Sequence, residues 1–329
     1  MAAPPPWGIT VPFDGVPLHE HPSWYRELAD AGYTDLWSLE SDGADAITPL
    51  ALAATEPRLR LGTAILSAFT RGPAVLAQTA AALADAAPGR VAVGIGASSD
   101  VIASRWNGIP FDRPYARVRD TVRFLRAALR GEKVNHVYDT FAVAGFRLSR
   151  VPDIPPPILV AALRPQMLRL AGEEADGVIL NWLSAPDVAK VVPIVRASNP
   201  AAEIIVRIVV CPIDDADAVR ALMRPLVTAY LNVPVYRSYH EWLGRSEVLG
   251  PMWRAWEVGE RRQALASVPD DVVDELCVHG SPEFCRSRVA EYVAQGVTTP
   301  VLAVLQPGDL DLRTAVLSLS RGRAPIEHT

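Results

Sequence analysis

Short runs of hydrophobic residues alternate with amphipathic stretches along most of this chain. Eight runs lack polar alternation, and each is followed by apolar residues at helical spacing. The predicted strands are 7–13, 34–39, 59–69, 90–96, 157–163, 177–182, 203–212 and 298–305. The predicted helices are 22–32, 47–54, 73–87, 114–129, 165–175, 186–197, 217–231, 281–295 and 311–320. Continuous apolar strands are typical of a parallel sheet covered on both faces, so the pattern predicts a (β/α)8 TIM barrel. A two-domain doubly wound sheet is the alternative, but nothing interrupts the alternation.

Three stretches depart from the strand–helix pattern and are predicted to be insertions: 100–114, 131–157 and 233–280. Residues 134–148 alternate loosely, which predicts a hairpin lying over the mouth of the barrel. Residues 233–269 are rich in tyrosine and tryptophan, and we expect them to be irregular. We therefore expect one domain over residues 1–329.

Composition narrows the function classes. The 329 residues carry a net charge of -5 without a basic block, which argues against a nucleic-acid partner. No apolar run approaches the ~20 residues of a membrane span, and no secretory leader is expected. The three cysteines and scattered histidines have no metal-ligand spacing, so we expect reduced thiols, no metal and a cytoplasmic protein.

In a barrel, the active site lies where the strands end. The residues there are Phe13-Asp14, Glu40-Ser41, Ser67-Ala68-Phe69, Ala97-Ser98-Ser99, Ala162-Leu163-Arg164, Asn181-Trp182, Pro212-Ile213 and Gln306. This set contains no histidine and few acids, unlike the site of a hydrolase or a metal enzyme. It suits a large planar cofactor that brings its own chemistry. The segment GIGASS at 94–99 lacks the third glycine of the dinucleotide fingerprint.

Four segments, 61–83, 90–99, 106–132 and 156–182, resemble the luciferase-like family of flavin and deazaflavin oxidoreductases, in its F420-dependent branch. They cover about half the chain and follow the family's order. The resemblance implies a (β/α)8 barrel that binds coenzyme F420, with FMN as the alternative cofactor. It also implies a small-molecule substrate and a homodimer.

The resemblance also implies cofactor-binding residues. Ala64 and Ile65 match the family's non-proline cis peptide bond, which backs the isoalloxazine-like ring. Gly96, Ala97 and Ser98 match the backbone segment near the ring, and Ser99 follows them. Ala161, Ala162 and Leu163 match the phosphate-side segment, where a helix N-terminus offers N–H groups to an anion. Asn181 and Trp182 match the adjacent wall.

Several positions depart from the family's sugar-phosphate dehydrogenases. Ser41 replaces a histidine, Ser99 a glutamate and Glu40 an aspartate, while Ser184 and Glu275 replace basic contacts to a substrate phosphate. We therefore expect a different substrate, with Glu40 and Ser41 as catalytic candidates for the proton donor. Arg164 precedes Pro165 where the family often has glycine, and our hypothesis is that it adds a cation beside the cofactor's phosphate.

The predicted function is hydride transfer from reduced F420 to an unsaturated or imine-like organic substrate. The alternatives are an FMN-dependent monooxygenase and a non-catalytic cofactor-binding protein. Structural interpretations also stand beside the functional ones. Glu40 is equally typical of a loop cap, Ser98 and Ser99 of a helix cap, and Phe111 of packing. His19 and His21 are expected to be solvated. The aromatic residues of 236–256 form a substrate lid, a dimer contact or a satellite core.

Overall fold

The computed structural model of the chain describes residues 5–306 and 310–322. Its strands are β1 (Gly8–Val11), β2 (Asp35–Ser38), β3 (Arg60–Thr63), β4 (Leu66–Ser67), β5 (Val91–Gly96), β6 (Val134–Val137), β7 (Ala142–Phe146), β8 (Ile158–Ala161), β9 (Gly177–Asn181), β10 (Glu203–Cys211), β11 (Cys277–His279) and β12 (Thr299–Val304).

The helices lie between and beyond these strands. They are α1 (His21–Ala31), α2 (Ile47–Ala53), α3 (Pro73–Ala86), α4 (Pro114–Leu129), α5 (Pro165–Glu174), α6 (Ala185–Arg196), α7 (Ala216–Leu231), α8 (Pro234–Leu243), α9 (Ser246–Glu257), α10 (Arg261–Ala266), α11 (Asp270–Leu276), α12 (Pro282–Ala294) and α13 (Leu312–Ser318). Within residues 5–306 and 310–322, no helix has the length and apolar content needed to cross a membrane.

The parallel strands close into a ring in the order β1, β2, β3, β5, β8, β9, β10, β12. Strand β1 pairs with both β2 and β12, and β10 pairs with both β9 and β12. The predicted (β/α)8 barrel is therefore confirmed, and the open doubly wound sheet is excluded. The predicted third strand, 59–69, is divided into β3 and β4, and β4 continues the wall by pairing with β5.

One large side chain fills the middle of the barrel. The Trp37 indole packs with Leu159, Ile179, Ile205 and other residues that point inward. A Cβ atom built on Gly62 would lie 2.2 Å from the Trp37 ring. Glycine at position 62 therefore gives the indole its space.

A cluster of charges closes the barrel below Trp37, at the start of the strands. Arg60 Nη2 donates to Glu203 Oε2 at 2.7 Å, and Asp35 Oδ1 lies 3.5 Å from Arg60 Nη1. Thr299 donates to the same Glu203 carboxylate. Burial raises the pKa of Asp35. The cluster lies at the end of the barrel opposite the carboxyl ends of the strands, where barrel active sites lie.

Two of the predicted insertions differ from expectation. Strands β6 and β7 do form a hairpin, but it packs against α4, where Phe124 contacts Phe141 and Phe146, so its placement over the mouth is wrong. The prediction of irregular structure for 233–269 is also wrong, because α8, α9 and α10 occupy that stretch. The apolar faces of α9 and α10 form a second core with α7, whereas Tyr239 and Leu243 of α8 pack in the main core. Strand β11 was not predicted; it extends the pairing of β10 beyond the last residues that pair with β9.

We expect Glu203→Gln to destabilise the fold by about 2 kcal/mol, because it removes the nearer of the two carboxylates beside the largely buried Arg60 guanidinium and leaves only Asp35, at 3.5 Å. The exposed pair of Arg130 and Glu132 provides the control, since Glu132→Gln is expected to cost less than about 0.5 kcal/mol. Urea unfolding of both variants measures the difference. Equal destabilisation by the two substitutions would contradict a structural role for the charge cluster of Arg60, Asp35 and Glu203.

Candidate functional site

Three barrel strands bring Ile65, Gly96 and Ala161 together at the open end. A Cβ atom built on Gly96 would lie 3.0 Å from Ala161 Cβ and 3.2 Å from Ile65 Cγ1. The Ala64–Ile65 peptide bond is cis, as the resemblance implies. Thus the predicted residues of β5, β8 and the break after β3 form one surface, which we call the cradle (Ala64, Ile65, Gly96 and Ala161).

A reciprocal pair of hydrogen bonds positions the chain that enters the cradle. Thr63 Oγ1 donates to Gly94 O at 2.9 Å and accepts from Gly94 N at 2.8 Å. A Cβ atom on Gly94 would lie 2.0 Å from Thr63 O. Glycine is therefore required at position 94 for Thr63 to lie this close, directly before Ala64.

The rim beyond β5 turns sharply. Ser98 has a left-handed backbone with φ 63°, and the Ser99 hydroxyl accepts from Ile102 N at 3.3 Å at the start of a π-helical turn. Ala97 is half-buried. Farther along the loop, Phe111 packs on Phe69 with ring centroids 4.7 Å apart, as the structural interpretation expects. Ser99 caps a turn, whereas Ser98 and Ala97 follow Gly96 at the rim of the barrel's open end, whose interior we call the bowl.

The segment after β8 leads directly into a helix. Ala162 is buried and its N–H donates to Ile179 O at 3.1 Å, while Leu163 is half-buried. Arg164 is exposed at the N-cap of α5, and its guanidinium has no ion pair or hydrogen bond with any described residue. This helix end is therefore free to interact with an anion.

The two catalytic candidates lie after β2. Glu40 forms an ion pair with Arg71, and the exposed Ser41 donates to Asp42 Oδ1 at 3.0 Å. Neither residue has a hydrogen bond to a member of the cradle among the described residues. Their role in proton donation stays a prediction.

Asn181 and Trp182 form the wall at the end of β9. Asn181 Oδ1 accepts from Trp182 N at 3.0 Å, and the Trp182 ring packs on Tyr230 with centroids 4.6 Å apart. The Tyr236 hydroxyl is hydrogen-bonded to the Asn181 side chain, and burial raises the pKa of Tyr236 to about 12. The wall therefore presents neutral hydroxyl and amide groups at physiological pH.

The prediction missed two polar residues of the barrel lining, Thr10 and Arg207. Thr10 Oγ1 and Arg207 Nε are both buried without a hydrogen-bond partner among the described residues, as is Trp182 Nε1. Arg207 pairs in register with Asn181 and Val301 on the neighbouring strands. A single arginine within the apolar run 204–211 is the pattern that could have revealed it.

Ser184 and Glu275, where the resemblance implies basic contacts to a substrate phosphate, belong to an internal ion-pair network. Arg245 Nη2 donates to Asp187 Oδ2 at 2.8 Å and to Glu275 Oε2 at 2.7 Å, and it lies 3.2 Å from Ser184 Oγ. The Arg245 side chain is 10% exposed. Because two carboxylates already neutralise this guanidinium, it is not available to a phosphate.

The structure corrects the expectation for one histidine and favours one interpretation of the aromatic residues. His21 is fully buried, and its Nε2 accepts from Phe13 N at 2.9 Å, so the prediction of a solvated loop residue is wrong. His19 is exposed, as expected. Trp253 lies in the second core with Tyr236 and Trp256 packed against it, which matches a satellite core for these three residues, whereas Tyr239 and Trp242 pack with the main core. All three cysteines are free, and no described group of three His, Cys, Asp or Glu side chains is arranged for a metal ion.

Comparison with known proteins gives the family. A family model described as luciferase-like monooxygenase matches residues 6–299. The chain belongs to this family. Among curated relatives of this luciferase-like chain, the 5,10-methylenetetrahydromethanopterin reductase of Methanolobus tindarius is 26% identical over 303 residues, which cover 88% of this chain and 90% of that protein. The F420-dependent glucose-6-phosphate dehydrogenase of Mycolicibacterium gilvum is 28% identical over 253 residues, 73% of this chain and 71% of that protein.

A solved structure agrees with the barrel. The coenzyme F420-dependent tetrahydromethanopterin reductase of Methanopyrus kandleri superposes with a TM-score of 0.78 at 20% sequence identity. The match covers 97% of this chain and 98% of that one. At this identity the likeness establishes the luciferase-like fold.

We expect the stability of the wall behind Trp182 to depend on pH through His240. Burial and the nearby Arg245 lower the pKa of His240 to about 4, while Asp187 opposes them. The histidine of the unfolded chain titrates near pH 6.5, so it takes up a proton before the folded protein does. The free energy of unfolding is therefore highest above pH 6.5 and decreases as the pH falls towards 4. At pH 5 the loss approaches about 2 kcal/mol.

Urea unfolding of wild-type protein and His240→Gln at pH 7.5 and pH 5 tests this. The variant should lose less stability than wild type between the two pH values. His21 is present in both proteins, so its contribution cancels in the comparison. An equal loss would show that His240 is not held neutral by its surroundings.

Proposed function

We propose that this chain is an F420-dependent reductase that transfers hydride from reduced F420 to a small organic substrate with a C=C or C=N bond. The observation that carries the proposal is the cradle, an apolar surface of small residues above Trp37 with a cis peptide bond at Ala64–Ile65. An apolar surface of this kind supports a cofactor that brings its own redox chemistry.

The cradle fits one face of a flat tricyclic ring. Gly96 lacks a side chain where Ile65 and Ala161 approach, so a ring can contact all three residues. Ala64, Ile65 and Ala161 are half-buried, so the apolar surface of the cradle is accessible to such a ring, which would displace water from it. Coenzyme F420, when bound in its reduced form, supplies a hydride at C5 of the deazaflavin. The chain's part is to hold the ring, orient the acceptor and keep the site dry.

The N-terminus of α5 is the proposed site for the cofactor's phosphate. Free N–H groups of the first turn and the Arg164 guanidinium, which has no partner among the described residues, both favour an anion there. This end lies directly after Ala161, so one molecule can contact both the cradle and the helix.

Two observations support the choice of cofactor and substrate. Relatives that align with most of this chain include one named as F420-dependent, which supports the deazaflavin. The Arg245 network occupies the positions where the sugar-phosphate enzymes of the family are expected to bind phosphate, which supports a substrate without that group. A deazaflavin does not form the oxygen adduct of a monooxygenase, so cofactor identity also decides the reaction class.

Purification from a host that makes F420, followed by spectroscopy and mass analysis of the bound molecule, tests the proposal. We expect a deazaflavin spectrum and oxidation of the reduced cofactor by an enone or imine acceptor. Bound FMN with oxygen consumption would instead support the luciferase-like monooxygenase reaction. Tight F420 binding without turnover across the acceptors would support a binding protein.

We expect Arg164→Ala to weaken F420 binding about five- to tenfold, because an exposed charge-assisted contact to phosphate is lost. Gly96→Val should weaken it more than about tenfold, since its side chain would occupy the space between Ile65 and Ala161. Titration of F420 fluorescence measures both affinities. Arg262→Ala, at an exposed arginine of α10, is the matched control and should change nothing. Unchanged affinity in Arg164→Ala would rule out its proposed contact with the cofactor.

A further inference from the structure

Arg207 lies on the barrel wall opposite Ala64 and Ile65, the part of the cradle that follows β3. In the closed ring of eight strands, β10 is four strands away from β3 in either direction. Arg207 shares the inward face of β10 with Ile205, and it is two residues nearer the open end. A flat molecule seated on Ala64 and Ile65 would therefore present its other face towards Arg207.

The Arg207 guanidinium is uncompensated. Its Nε is buried without a hydrogen-bond partner, and no described carboxylate lies within the 4.0 Å ion-pair distance. Asp14, on the exposed loop after β1, is the acidic group that acts on its charge from a distance. Burial lowers the pKa of Arg207, yet an arginine remains charged in proteins. The lining arginine at the other end, Arg60, has its carboxylate partner in place.

Neutral hydrogen-bonding groups surround this charge. Tyr230 and Tyr236 are the aromatic residues whose hydroxyls interact with Arg207 electrostatically, and Asn181 is its register partner on β9. Burial raises the pKa of Tyr236 to about 12, so its hydroxyl stays neutral, and the Asn181 amide carries no charge. Near Arg207 the barrel wall therefore offers one cation and several polar groups but no described carboxylate within ion-pair distance, which is the arrangement that an anionic oxygen requires.

We propose that Arg207 binds an anionic oxygen of the hydride acceptor, so that the substrates of this chain are α,β-unsaturated carboxylates. The inference rests on the proposed function, because it places the acceptor between the cofactor ring on the cradle and the β10 wall. The phosphate of the cofactor is assigned to the N-terminus of α5, after β8 and two strands from β10, where Arg164 supplies a separate cation, which leaves Arg207 for the substrate.

The reaction balances with these components. The β-carbon of the acceptor gains a hydride, which forms a C–H bond and breaks the C=C π bond. The released electron pair moves to the α-carbon and the carboxylate, and a proton from water completes the saturated acid. Reduced F420 loses two electrons and becomes oxidised. Arg207 stabilises the negative charge that grows on the carboxylate oxygens in the transition state.

Acid and ester pairs test the inference in the F420-loaded protein. The probes are crotonate and cinnamate with their methyl esters, and the variants are Arg207→Met and Arg207→Lys, with Arg262→Met as the matched control. Wild type and control should prefer each acid to its ester by about tenfold or more in kcat/KM. Arg207→Met should lose that preference while ester reduction is retained. Arg207→Lys, which keeps the charge but not the planar fork, should be intermediate.

A binding measurement makes the test independent of turnover. Calorimetric titration of the oxidised holoenzyme with butyrate and 3-phenylpropionate, the saturated acids, should give binding that falls about tenfold or more in Arg207→Met. F420 affinity should change less than about twofold. Equal acid binding by wild type and Arg207→Met overturns the inference, as does weaker F420 binding with an unchanged acid preference. If the protein binds no F420, the proposed function fails, and titration of the cofactor-free protein with the same acids still tests Arg207.

Discussion

The shape of the open end depends on how Trp37 fills the barrel. Its indole occupies the middle layer, and Gly62 and Gly8 leave room for it, because a Cβ on either would come within 3.0 Å of the ring. Above this layer, β3, β5 and β8 carry residues no larger than alanine on their inward positions near the rim, apart from Ile65. The Trp37 indole forms the floor of the bowl, and the small side chains above it leave space at the open end. A packed barrel with bulky residues in every layer would leave no such space.

The sequence predicted the barrel because its strands are apolar on both faces. Strand 91–96, for example, is buried at every position, which is what a continuous apolar run indicates. The cis bond at Ala64–Ile65 came instead from the family resemblance, since nothing in the residue types of LGTAILS specifies it. The division of the third strand into β3 and β4 at this bond could therefore not be derived from periodicity alone.

Two predictions that the structure contradicts, irregular structure in residues 233–269 and a solvated His21, have a common physical origin. In residues 234–266 the helices are short and aromatic residues face a small second core, so the usual apolar spacing is hard to distinguish from an irregular loop. His21 follows a turn and precedes Pro22, a context that suggests solvent. Its ring is nevertheless buried, because it accepts a backbone hydrogen bond from Phe13. Both cases depend on tertiary contacts with residues distant in sequence or on the far side of a turn.

The distribution of buried charge is the strongest functional argument in the molecule. Arg60, in the charge cluster below Trp37, and Arg245, in the ion-pair network with Asp187 and Glu275, both have carboxylate partners that neutralise their charge. Arg207, inside the bowl, has none among the described residues. Other half-buried arginines without a carboxylate, such as Arg90 and Arg196, donate to backbone carbonyl oxygens instead. Arg207 has neither kind of partner among the described residues, which favours a ligand as its partner. Because this charge lies across the barrel from Ala64 and Ile65, the proposed function places the cofactor ring on the apolar cradle and the acceptor beside Arg207.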